Sequence, residues 1–66
     1  MKAATSVLQL KNRTDNWIIF RFLRRKKRAV IEYFDCGDFQ YELDVPLGEG
    51  KRIYNLSLHN GYEEIK

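Results

Sequence analysis

Between Trp17 and Phe34 the chain runs WIIFRFLRRKKRAVIEYF, eighteen residues without a Gly, Pro, Asn or Asp. Five consecutive cations, Arg24 to Arg28, divide two apolar arms. In a chain of 66 residues the conformation of this one segment decides the fold. Either it is a long β-hairpin with the cations at its tip, or it is one amphipathic helix.

On a helical wheel Arg21, Arg24, Arg25, Arg28, Glu32 and Asp35 gather on one face, opposite Ile19, Phe22, Leu23, Val30 and Phe34. Thr14 or Asp15 would cap the start of such a helix and Gly37 its end. Lys26 and Lys27, however, fall on the apolar side and interrupt the stripe. Residue preference also points the other way, because Trp, Ile, Phe, Val and Tyr fill both arms and all favour strands.

The remaining periodic segments read as strands. Phe39 to Val45 alternates cleanly, with Phe39, Tyr41, Leu43 and Val45 on one face and Gln40, Glu42 and Asp44 on the other. Thr5 to Lys11 places Ser6, Leu8 and Leu10 opposite Val7, Gln9 and Lys11. Arg52 to Leu58 reads as a further strand, with Tyr54, Leu56 and Leu58 on one side. Asn60-Gly61 then favours a tight turn that folds Tyr62 to Ile65 back as a short edge strand. Turn residues at Asn12–Asn16, Asp35–Asp38 and Pro46–Gly50 separate these segments, and Cys36-Gly37 sits where a type I′ hairpin turn belongs.

The expected fold is therefore mainly β: a single small domain over 1–66, built as an antiparallel meander of five or six strands. Such a meander closes most naturally into an open barrel of the SH3-like or OB-like kind. The alternative is a β-α-β-β chain with a helix over 15–35. A domain this small has a marginal core. Its single cysteine, Cys36, excludes an intrachain disulfide, and one Cys with one His (His59) does not make a zinc site. The missing stability points to good packing or self-association. Because both arms of 17–34 carry apolar residues on both faces, a homodimer or higher oligomer is expected.

No apolar run approaches the roughly 18 residues a membrane span needs. The N-terminus, MKAATSVLQLKN, has no apolar leader core, and the lone thiol suits a reducing compartment, so a cytoplasmic setting is expected.

Chemistry-bearing constellations are weak. Cys36 and His59 form no nucleophile motif. Asp35, Asp38, Glu42 and Asp44 read as a solvated acidic face rather than an acid–base pair or a cation site. LGEGKR (47–52) lacks phosphate-loop spacing. No enzyme, cofactor or metal is expected.

Charge is the feature that stands out. Residues 1–34 hold nine Lys or Arg against two acids, whereas residues 35–66 hold three against seven. The expected contact surface is Arg24, Arg25, Lys26, Lys27 and Arg28, with Arg21, Lys11 and Arg13 as flanking charges and Trp17 among the aromatic rings available for stacking on bases. The expected partner is nucleic acid, DNA or RNA. The alternative is a small regulator or inhibitor that docks on an acidic protein surface.

Overall fold

In the computed structural model, which describes residues 5–65, the decisive segment is a hairpin. Strands β2 (Asn16–Leu23) and β3 (Arg28–Asp35) pair antiparallel over their full length, and Arg24–Lys27 turn between them. The helix considered over 15–35 is thus replaced by two strands, as the β-branched and aromatic residues of both arms prefer. The extent of the domain over residues 1–4 and 66, and the absence of a leader at the first four residues, lie outside the described residues.

Strand β1 (Thr5–Lys11) adds to β2, and β4 (Asp38–Pro46) adds to β3. The expected edge strand is present as β5 (Glu63–Glu64), paired to Leu10 and Lys11 of β1. The result is a five-stranded antiparallel sheet in the order β4-β3-β2-β1-β5, mainly β and not closed.

One expected strand is a helix. Residues Leu47–His59 form α1 directly after Pro46, so Arg52–Leu58 is helical. The positions of α1 turned toward the sheet are Leu47, Gly50, Ile53, Tyr54 and Ser57, a spacing of three and four residues. The alternation of Tyr54, Leu56 and Leu58 does not reflect a buried face, because Leu56 and Leu58 are 49% and 40% exposed.

The helix covers one face of the sheet, and the core lies between them. Leu10, Ile18, Phe20, Phe22, Ala29 and Ile31 are buried there, with Ile53 and Tyr54 packed on top. Phe20 is fully buried and meets the Tyr54 ring edge-on at 5.3 Å and the Phe22 ring at 5.9 Å. Ser57 is buried, and its hydroxyl donates to the Ile53 carbonyl at 2.9 Å, so it leaves no orphan polar group. At Gly50 the helix backbone touches β3: an added Cβ would overlap the Ala29 Cβ and stand 3.3 Å from Phe22 Cε1.

Strand β4 carries one irregularity. Tyr33 opposes Tyr41 and Phe34 opposes Phe39, so Gln40 is an unpaired bulge residue. The extra residue moves Phe39 off the face of Tyr41, Leu43 and Val45 and onto that of Phe34, where the two rings meet at 5.6 Å. That face, opposite α1, carries no helix among the described residues.

Candidate nucleic-acid interface

The cation turn is built from its backbone outward. The Lys26 amide donates to the Leu23 carbonyl at 3.1 Å and the Lys27 amide to the Arg24 carbonyl at 3.2 Å. Lys27 completes the turn in the left-handed region, at φ 54°. Lysine is an uncommon residue there, where Gly or Asn is more easily accommodated. The Lys27 carbonyl in turn accepts the Leu47 amide at 2.9 Å, which ties the tip to the first turn of α1.

Side chains then separate the cations into two classes. Arg21 pairs with Glu32, and Arg28 pairs with Asp44 at 3.0 Å, across neighbouring strands of the helix-free face. Arg24, Arg25, Lys26 and Lys27 are exposed, and among the described residues none has a carboxylate within ion-pair distance. Of six cations between Arg21 and Arg28, four therefore keep their charge uncompensated at the tip.

The sequence left one contributor unnoticed. Lys51 lies on the first half of α1 and joins Arg24 on the rim of a cleft of about 400 Å³ between β1 and α1, floored by Leu8, Phe22 and Tyr54. Lys51 becomes legible only once a helix is placed at 47–59, since it follows Leu47 by four residues and precedes Tyr54 by three, which puts it beside the buried stripe.

The other expected residues lie elsewhere. Lys11, Arg13 and Trp17 sit at the opposite end of β1 and β2, roughly 20 Å along the strands from the tip. Lys11 pairs with Asp15 at 3.4 Å and lies over the Trp17 ring at 5.2 Å. Lys11 and Arg13 line a second cleft, of about 440 Å³, together with Asp15, Glu63 and Glu64, so their charge is locally balanced. Trp17 and Phe34 stand on the helix-free face, not beside the tip.

The turn between β3 and β4 carries the single cysteine. Cys36 is exposed, and hydrogen bonding to Asp35 together with the Asp35 charge pushes its thiol above the ordinary value. Among the described residues no three His, Cys, Asp or Glu side chains gather closely enough to hold a metal ion. No helix of the described residues is long and apolar enough to cross a membrane.

Comparison of the chain with protein-family models, with curated proteins and with solved structures finds no match.

Proposed function

We propose that the chain is a non-enzymatic binding module whose β2–β3 tip contacts the phosphate backbone of a nucleic acid. The carrying observation is the row Arg24, Arg25, Lys26 and Lys27, exposed on one turn with no carboxylate partner among the described residues. Uncompensated cations held this close repel one another, and a polyanion removes that repulsion while releasing its own counterions. Two further features support the reading. Lys27 occupies a backbone position that a Gly would fill with less strain. Lys51 extends the positive zone along α1, and the positive end of the α1 dipole starts beside the tip.

The zone is small, with four or five cations, and that size favours a second reading as well: a regulator or inhibitor docking on an acidic patch of a protein. The proposed setting is intracellular, in keeping with the single free thiol, and the proposed working unit is self-associated.

Binding of short duplex and single-stranded DNA and RNA, followed by fluorescence anisotropy across a salt series, tests the proposal. Four or five phosphate contacts on a duplex predict a slope of log K against log salt of about −3.6 to −4.5. No binding at low salt, or a flat salt response, removes the nucleic-acid reading.

A further inference from the structure

We propose that the cleft between β1 and α1 receives one unstacked base of a single strand whose phosphates lie on Arg24 and Lys51. The inference rests on the reading of the tip as a nucleic-acid contact, and it names the class of strand the tip takes.

The cleft arises from where the helix lies. α1 packs on β2, β3 and β4. Ser6 and Leu8 of β1 share the sheet face of Phe22 and Phe20, their partners in register, yet both are only part-buried. The space left beside the helix, about 400 Å³ over Leu8, Phe22 and Tyr54, is within the size range of small-ligand sites. Its aromatic floor is fixed in advance. Tyr54 meets Phe20 edge-on at 5.3 Å and Phe22 at 6.5 Å, and its hydroxyl donates to the Glu64 carboxylate at 3.2 Å. A floor already held this way costs little further ordering when a flat ligand settles on it.

Charge and polarity select the occupant. Arg24 and Lys51 stand on the rim, both exposed, and among the described residues neither has a carboxylate within ion-pair distance. Against these two cations, the carboxylate bonded to the lining is that of Glu64, engaged by the Tyr54 hydroxyl. Ser6 and Asn55 add a hydroxyl and an amide at the lips, groups that suit the polar edge of a base. An apolar floor, polar lips and a cationic rim match the flat ring, polar edge and phosphate of a nucleotide. The cleft at the far end of the sheet lacks this pattern because Asp15, Glu63 and Glu64 line it, and the hollow beside Trp17 and Phe34 has no cation.

Arg24 belongs to both the tip and the cleft, so a strand laid on the tip reaches the cleft mouth. Bases of a duplex are stacked inside it, whereas a single strand can splay one out onto an aromatic surface. The tip alone predicts the opposite preference, since a duplex carries the denser phosphate charge.

Anisotropy titrations at low salt with three probes test this: an oligothymidine, the same backbone without bases, and a G·C-rich duplex. The oligothymidine is expected to bind about tenfold or more tighter than its abasic counterpart, and tighter than the duplex. In wild-type protein the amide shifts of Leu8 and Asn55 are expected to move with the oligothymidine and to stay still with the abasic strand. Ser6→Ile fills the cleft with a side chain that suits a strand. It is expected to lower oligothymidine affinity to the abasic level, with duplex binding and the circular dichroism spectrum unchanged. Equal, salt-sensitive binding of all three probes overturns the cleft and leaves the tip standing. So does a folded Ser6→Ile variant that keeps the full preference for bases. Absence of binding by every probe removes both readings.

Discussion

Replacing Arg24, Arg25, Lys26 and Lys27 together by Gln lowers nucleic-acid affinity at low salt by roughly a hundredfold or more and flattens its salt dependence. The magnitude follows from counterion release: four fewer phosphate contacts remove about 3.6 from the slope of log K against log salt. The fold survives the change. All four side chains are exposed, and the turn is held by backbone bonds from Lys26 to Leu23 and from Lys27 to Arg24. Removing four crowded like charges relieves repulsion, so the melting temperature stays level or rises. Arg13→Gln is the matched control. It removes one cation at the far end of the sheet, beside Asp15, Glu63 and Glu64, and leaves affinity nearly unchanged. A loss from Arg13→Gln of about a quarter of the tip variant's in log K, that is, the same loss per charge removed, in binding measured by anisotropy, would mean that overall charge rather than the tip carries the attraction.

The second large effect concerns stability. Gly50→Ala destabilises the protein although alanine is the better helix former. The propensity gain is at most ~1 kcal/mol, and less in the first turn of a helix. Against it stands the overlap of the new methyl with the Ala29 Cβ, an atom fixed to the backbone of β3, and the 3.3 Å approach to Phe22 Cε1. Forcing extra volume into a packed site costs about 1–3 kcal/mol, so the net loss is roughly 1–2 kcal/mol. For a chain of this size, with roughly 3–10 kcal/mol in total, that is a large share. Ala29→Gly placed in the same chain vacates the space and recovers much of the loss. Urea unfolding of the single and double variants measures this coupling; simple additivity of the two substitutions would contradict the close approach.

The hairpin was legible because its two arms carry β-branched and aromatic residues so densely that the wheel pattern of the arginines could not outweigh them. The Cys36-Gly37 turn was equally legible: both residues take positive φ, 52° and 88°, as a type I′ turn requires. The helix at 47–59 was hidden by its own packing. Two of its sheet-facing positions are Gly50, where the helix backbone approaches Ala29 closely, and Ser57, a buried hydroxyl bonded to the Ile53 carbonyl, and neither carries a hydrophobic signal. Meanwhile Leu56 and Leu58 are apolar and exposed, and they imitate a strand. Signals of a helix start were nevertheless present in Pro46 and Glu49, with His59 in the last turn.

The bulge at Gln40 was not legible at all. A perfect alternation from Phe39 to Val45 gives no hint of a skipped residue, and only pairing with Phe34 turns Phe39 to the other face. For the site, the sequence located the cations but not their partners. That Glu32 and Asp44 neutralise Arg21 and Arg28 depends on strand register, which places residues 11 and 16 positions apart side by side. Lys11, Arg13 and Trp17 looked close to the tip along the chain, yet an extended strand carries them to the opposite end.

The most direct measurement is a titration of isotope-labelled protein with a short oligonucleotide at low salt, followed by amide chemical shifts. The tip as contact surface predicts that the largest changes fall on Arg24 to Lys27 and on Lys51, with the far-end residues Arg13 and Asp15 nearly still. Changes centred on Trp17 and Phe34, or none anywhere, would contradict it.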